Sequence, residues 1–418
     1  MKNITLNEGV YLHVVPTQQF ATTQILINFS RSKSTADLAG RFLASNMAET
    51  ASQDYPSQTK MAQVLSEMYG ANFSADVLNV GAMHSLRFSL ELVNDLFAND
   101  TQSLLADGFN FLHSVLTKPF GNAEQGFDVT VFTRQKEMAL DEMAGLLEDR
   151  EYQATRRAID QFFGSSILAT PGFGTEQQVE SVSPLSAWQA LSEALDNDRI
   201  DIVVQGAIDE EQVIQLARQF DFKARAVSGN PYFERENRPV KKLSLVENVT
   251  QARLVLGYTL KITHEQRFAG YVFNALFGGL GVSRLFLNVR EKAGLSYSIY
   301  SDYNPFTSLM LVSAGLETAD LAQTRALIAE QLADLQDHLI SETELAMIKR
   351  LMINDFVVSL DKPGNIIERI LTQQLTQIFM TDPEWVQQVN AVTAEDLRTV
   401  ANALVLQVDL DLTEGGHE

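Results

Sequence analysis

Side chains that could carry out catalysis are sparse in this chain of 418 residues. It contains no cysteine, which excludes thiolate nucleophiles, thiolate zinc sites and disulfides. No Gly-x-Ser-x-Gly motif marks a serine nucleophile. The six histidines show no pairing at the spacing of metal ligands, so structural roles are expected for them, although convergence of His84 with His113 is left open. The six are His13, His84, His113, His264, His338 and His417.

One segment places two strong hydrogen-bond donors on either side of a glycine. Arg290 and Tyr297 are seven residues apart, and Gly294 allows the chain to turn from a helix into a strand between them. A guanidinium group and a phenol can both donate to carbonyl oxygens. A purely structural interpretation is the alternative, in which Arg290 caps the end of the helix and Tyr297 is an ordinary strand aromatic.

Composition and charge exclude several classes of protein. The chain carries 53 acidic and 32 basic residues, a formal charge of −21, which makes nucleic acid or an anionic membrane surface an unfavourable partner. No run of about 18 apolar residues predicts a membrane span. The alternating residues of Met1–Pro16 predict an opening hairpin rather than a secretory signal. Together with the absence of cysteine, this favours a cytoplasmic protein.

An internal duplication organises the chain. Each half has a strand, two helical stretches, a glycine-containing turn and further strands, and then continues with long helices and a final strand. When Gly70 is placed on Gly294, Ser66 falls opposite Arg290 and Phe73 falls opposite Tyr297. The two halves therefore share a frame, but only the second half carries the Arg/Tyr pair.

The segment between the halves is polar, contains two prolines and lacks apolar periodicity, as is typical of a linker. We therefore predict an N-terminal domain over residues 1–225, a linker over 226–245 and a C-terminal domain over 246–418. Strands joined by turns and followed by paired helices predict the α+β class, with mostly antiparallel sheets and helices packed on them.

Two stretches carry a resemblance to a known family. The run from Gly278-Gly-Leu-Gly through Arg290-Glu-Lys-Ala-Gly-Leu-Ser-Tyr297 is similar to the substrate-binding motif of the M16 (pitrilysin or insulinase) peptidases. The rest of the chain resembles that family over nearly its whole length. The resemblance implies two homologous LuxS/M16-like sandwich halves that form half of a clamshell.

The same resemblance implies that the metal site is lost. Active members carry His-x-x-Glu-His at the start of the first long helix, and those positions fall here on Arg41, Ala44 and Ser45. None of the three can bind zinc. Glu142 matches the distant glutamate ligand and would be vestigial, because one carboxylate cannot hold zinc tightly, and Gln135 replaces a second carboxylate. We therefore expect no metal, no catalytic residue and no cofactor.

The function that follows from the resemblance is that of a non-catalytic subunit. It would pair with an active zinc peptidase of the family to enclose a chamber, and Arg290 and Tyr297 would contact backbone carbonyls of an extended peptide. The alternatives are a stand-alone peptide-binding or scaffold protein, which would include a homodimer in isolation, and a zinc endopeptidase with an atypical site. The Tyr55-Pro-Ser-Gln stretch also resembles a bacterial inactive subgroup named for an association with modification of elongation factor P.

Overall fold

The computed structural model describes residues 1–98, 103–234, 236–247 and 251–414, so His417 and Arg235 of the predicted linker lie outside it. The chain divides into two compact units. The first comprises Met1–Met143, Thr170–Pro231 and Ser359–Gln377, and the second comprises Ala144–Ala169, Tyr232–Val358 and Ile378–Glu418. Within the described residues, no helix is long and apolar enough to cross a membrane.

The strands are short to medium in length and are numbered in chain order. They are β1 (Lys2–Asn7), β2 (Val10–Pro16), β3 (Thr22–Ser32), β4 (Asn72–Val80), β5 (Met83–Val93), β6 (Gly121–Asn122), β7 (Gly126–Phe127), β8 (Arg199–Gly206), β9 (Lys241–Glu247), β10 (Ala252–Leu260), β11 (Ser298–Asn304), β12 (Leu309–Leu316) and β13 (Leu404–Glu414).

The helices are numbered in the same way. They are α1 (Leu38–Thr50), α2 (Gln58–Glu67), α3 (Leu104–Thr117), α4 (Val129–Glu148), α5 (Arg150–Phe163), α6 (Glu176–Ser181), α7 (Pro184–Asn197), α8 (Glu210–Arg218), α9 (Arg267–Asn274), α10 (Leu321–Asp337), α11 (Glu342–Ser359), α12 (Pro363–Thr376), α13 (Asp382–Ala391) and α14 (Ala394–Ala403). Two π-helical segments, Ala275–Gly279 and Phe286–Lys292, follow α9.

The sheet of the first unit has the order β1-β2-β8-β3-β5-β4. All neighbours are antiparallel except β2 and β8, which run parallel. Side chains of a strand alternate between the two faces, and Ile25, Ile27 and Phe29 of β3 lie in the core of this unit. The β1–β2 pair confirms the predicted opening hairpin, with Lys2 opposite Val14.

The sheet of the second unit has the order β11-β12-β10-β13-β9, in which only β13 and β9 run parallel. Leu254, Leu256 and Tyr258 of β10 lie in the core of this unit, which the helices α9, α10 and α14 also line. The sheets and their helix layers confirm the predicted α+β class.

Each sheet receives a helix from the other half of the sequence. Helix α12, from the second half, packs Ile367, Ile370 and Leu371 against Leu26 and Val203 of the first sheet. Helix α5, from the first half, packs against β10 and β13 of the second sheet. There, a Cβ added at Gly257 would lie 3.5 Å from the Phe162 ring. The compact units thus differ from the two sequence halves by these exchanged segments, and β9 begins inside the predicted linker.

Candidate functional site

The three positions matched to the metal motif lie on α1 and are all buried. Arg41 and Ala44 have no exposed surface, and Ser45 donates from Oγ to the Phe42 carbonyl oxygen at 2.7 Å. An alanine methyl group and a serine hydroxyl bonded to its own helix offer no ligand to zinc. Among the described residues, no group of three or more His, Asp or Glu side chains is arranged to hold a metal ion.

Arg41 fills the position of the first histidine with a charge of its own. Its Nη1 lies 2.6 Å from Oδ2 of Asp198, and its Nη2 donates to the Phe29 carbonyl oxygen at 3.0 Å. Burial raises the pKa of the Asp198 carboxyl group, and the Arg41 guanidinium group opposes that shift. A buried arginine paired with a carboxylate therefore stands at the position that the family resemblance assigns to a metal ligand, and a guanidinium group has no acceptor with which to coordinate a cation.

The imidazole of His84 lies close enough to Arg41 to be affected by its charge. Its Nε2 is 2.9 Å from the Gly172 carbonyl oxygen. Burial, followed by the charge of Arg41, lowers the pKa of His84 to about 3, so the ring is neutral at physiological pH. His113 instead lies against the Phe220 ring, with centroids 5.6 Å apart. The structure thus gives the two histidines different partners.

Glu142, the position of the distant ligand, lies on α4 and is exposed. The residue that sequence reasoning missed here is Glu49, in the last turn of α1. Its carboxylate accepts from the backbone N–H of Ala75 at 2.6 Å. Burial raises the pKa of Glu49, the bond from Ala75 lowers it, and the charges of Asp76 and Glu142 raise it further. Glu142 is therefore near Glu49 of α1, whose carboxylate binds a backbone N–H.

Arg290 and Tyr297 are exposed at the two ends of a tight helix-to-strand turn. Gly294 has φ of +65°, and its N–H donates to the Arg290 carbonyl oxygen at 3.1 Å. Leu295 N–H donates to the Val289 carbonyl oxygen at 3.1 Å, which closes the helix end in the manner of a glycine C-cap. The helix end is thus capped by backbone groups, and the side chains of Arg290 and Tyr297 are exposed on the surface.

Arg290 and Tyr297 each have contacts with neighbouring side chains. The Arg290 guanidinium carbon lies 4.7 Å from the Phe286 ring centroid, and Nε is 3.8 Å from Glu291. Tyr297 is 54% exposed, and its hydroxyl donates to Glu317. That bond, with the charge of Glu317, raises the pKa of Tyr297. The phenol therefore keeps its proton, and its oxygen also has lone pairs that can accept a hydrogen bond.

A polar cluster continues from this turn along the edge strand β11. Tyr300 donates to Glu151 at 2.8 Å, and Arg253 pairs with the same carboxylate at 3.0 Å. Sequence reasoning missed Glu151 and Glu317, because neither lies near the Arg/Tyr motif in the chain and no local pattern distinguishes them from other surface acids.

Comparisons with known proteins agree on the family. The family model described as Peptidase M16 inactive domain matches residues 189–352. The chain is 26% identical over 414 residues to the "Probable inactive metalloprotease YmfF" of Bacillus subtilis, covering 97% of each chain. It is 28% identical over 317 residues to the "Uncharacterized zinc protease YmxG" of the same organism, covering 75% of this chain and 74% of that one.

Solved structures show the same fold. A conserved protein from Enterococcus faecalis V583 superposes with a TM-score of 0.93 at 29% identity, covering 100% of this chain and 99% of that one. A peptidase M16 inactive domain from Pseudomonas fluorescens superposes with a TM-score of 0.79 at 16% identity, covering 100% and 99%. Both structures match over the whole chain. The second, at 16% identity, shows only that the fold is the same.

Proposed function

The chain belongs to the peptidase M16 family as an inactive homologue, and on that premise we propose that it is a peptide-binding subunit that pairs with an active zinc peptidase of the family. The two chains together would enclose a proteolytic chamber. A cytoplasmic location is part of the proposal. The observation that carries it is a contrast: the metal helix holds a buried Arg41–Asp198 pair, whereas Arg290 and Tyr297 stay exposed.

The chemistry of the exposed pair suits the backbone of an extended peptide. The Arg290 guanidinium group can donate to a peptide carbonyl oxygen, and its stacking on Phe286 limits the side-chain freedom that binding would cost. Tyr297 donates to Glu317, and its oxygen can at the same time accept from a peptide N–H. Contacts of this kind recognise backbone rather than side chains, as strand-like peptide recognition requires.

The experiment begins with the partner. The full-length chain, tagged and expressed in its source organism, is used to isolate associated proteins, and a retained protein with an intact His-x-x-Glu-His motif is purified separately. Cleavage of a fluorogenic peptide library is then measured for each protein and for the mixture. We expect activity in the mixture that neither protein has alone, and we expect Arg290→Ala to reduce kcat/KM by about tenfold or more, the loss typical of a charged hydrogen bond.

A matched control removes one positive charge from another position on the surface of the second unit. Arg398 is another partly exposed arginine of the second unit, paired with Glu395 three residues earlier, and Arg398→Ala should leave the activity of the mixture unchanged. Equal turnover by the zinc peptidase with and without this chain would refute the proposal. Recovery of homodimers that bind peptide tightly and retain no peptidase would favour the stand-alone binding protein instead.

A further inference from the structure

One of the two edges of the first sheet is formed by β4. Among the described strands, β4 pairs with β5 alone. Ala75 lies opposite Phe88 in that ladder, but its N–H donates to Glu49 of α1 instead of to β5. The backbone of Ala75 therefore points away from the sheet, toward the open edge of β4.

Antiparallel geometry extends this observation to neighbouring residues. Along such a strand, the N–H and C=O of one residue point to the same side, and that side alternates from residue to residue. Phe73 and Val77 therefore turn their backbone groups toward the same open edge as Ala75. These three residues are the template to which another extended chain would add as a further strand.

Glu49 occupies the middle of this template. Its carboxylate accepts a hydrogen bond from the Ala75 N–H at 2.6 Å. The carboxylate is held there although burial and the nearby acids Asp76 and Glu142 oppose its charge. A group kept in place against its own desolvation makes a contact that an incoming strand would have to break.

We propose that Glu49 closes the edge of β4 to strand addition, so that the first unit does not take up an extended polypeptide there. A strand could hydrogen-bond across Ala75 only after the carboxylate had left its N–H, and the displaced carboxylate would then lie against the peptide carbonyl oxygens. This inference goes beyond the proposed function, which concerns Arg290 and Tyr297 of the second unit.

The test uses the full-length chain and a labelled synthetic peptide that copies residues 83–93. This is the sequence of β5, the strand that already pairs with β4 in antiparallel register. The chain carries Arg290→Ala and Tyr297→Phe throughout, and no partner peptidase is present, so failure of the proposed function does not affect the result. The affinity of the peptide is measured by fluorescence anisotropy for this parent chain, which keeps Glu49, and for the same chain with Glu49→Ala or Glu49→Gln.

We expect Glu49→Ala to tighten binding by about tenfold, because the bond it removes is to a charged acceptor. Glu49→Gln, whose amide oxygen is a neutral and weaker acceptor, should tighten it by about threefold. Glu67→Ala, which removes an exposed acid at the end of α2, is the matched control and should change nothing. If Glu49→Ala does not fold, Glu49→Gln alone decides the test.

Hydrogen exchange supplies a second readout on the same proteins. The amide of Ala75 should exchange faster in the Glu49 variants than in the parent, and bound peptide should restore its protection. Equal peptide affinity for the parent and the folded variants would overturn the proposal. So would unchanged exchange at Ala75, or protection by the peptide at a strand other than β4.

Discussion

Arg41 lies at a position that the family resemblance assigns to a metal ligand, and it contributes to the stability of the fold. Histidine at this position would bind a cation, whereas arginine is a permanent cation. Its guanidinium group has no exposed surface, yet it has both a carboxylate partner, Asp198, and a carbonyl partner, Phe29. This buried ion pair makes the stability of the fold depend on both of its members.

We predict that Arg41→Ala lowers the free energy of unfolding by about 3–5 kcal/mol, because it removes the nearer cation from the buried Asp198 carboxylate and leaves it Arg31, whose Nε lies 3.9 Å from Oδ1. The double variant Arg41→Met with Asp198→Asn should recover most of that loss, since it buries no unpaired charge. Urea unfolding of both variants measures the difference. Arg398→Ala, on the surface, should cost no more than about 0.5 kcal/mol. A loss below about 1 kcal/mol for Arg41→Ala would contradict the role given to the pair.

The turn between the second π-helical segment and β11 sets the geometry of the exposed pair. Gly294 takes a left-handed conformation, φ +65°, so that the chain reverses between Arg290 and Tyr297. A Cβ at this position would meet nothing within 4 Å, so the requirement for glycine is conformational rather than steric. The backbone conformation of Gly294 therefore sets where the side chains of Arg290 and Tyr297 lie relative to each other.

We predict that Gly294→Ala destabilises the protein by about 1 kcal/mol, the cost of a side chain in the left-handed region. It should also reduce the peptidase activity of the mixture with the active partner, because the turn holds both side chains. Gly281→Ala is the matched control, since its Cβ also meets nothing within 4 Å and its φ is not left-handed. Thermal and urea unfolding measure the first effect, and equal losses for the two variants would refute the conformational explanation.

The exchange of helices ties each half of the sequence to the sheet of the other half. Helix α12 supplies Ile370 and Leu371, which cover Leu26 and Val203 on one face of the first sheet. A chain cut in the predicted linker would leave those apolar side chains of the first sheet without their cover. The duplicated halves are therefore not independent folding units, because each compact unit contains residues from both halves of the sequence.

We predict that Leu371→Ala, although it lies in the second half of the sequence, destabilises the first unit by about 2–5 kcal/mol. Native-state hydrogen exchange should accelerate in β3 and β8, the strands that α12 covers. Val357→Ala removes an apolar side chain that is 53% exposed and should have little effect. Faster exchange confined to β10 and β12 of the second unit would show that the helix does not stabilise the first sheet as described.

The sequence sufficed to predict much of the architecture and to show which residues stand at the three positions matched to the metal motif. Predicted strands at 24–29, 84–92 and 200–204 lie within β3, β5 and β8. Residues 84–92 alternate between apolar and polar, whereas 24–29 and 200–204 are largely apolar runs that are buried on both faces of the sheet. The absence of ligands at Arg41, Ala44 and Ser45 is a matter of chemical identity, which needs no coordinates. The role of Arg290 and Tyr297 in binding peptide stays a prediction that the experiments above test.

Which groups contact one another depends on how the strands and helices pack in three dimensions. The tertiary structure pairs Arg41 with Asp198, Glu49 with the backbone of Ala75, and Tyr297 with Glu317. It also decided that α5 and α12 pack on the sheets of the opposite halves. Local patterns record the burial of a residue but not its partner, because strand order and helix packing bring together residues that are far apart in the chain.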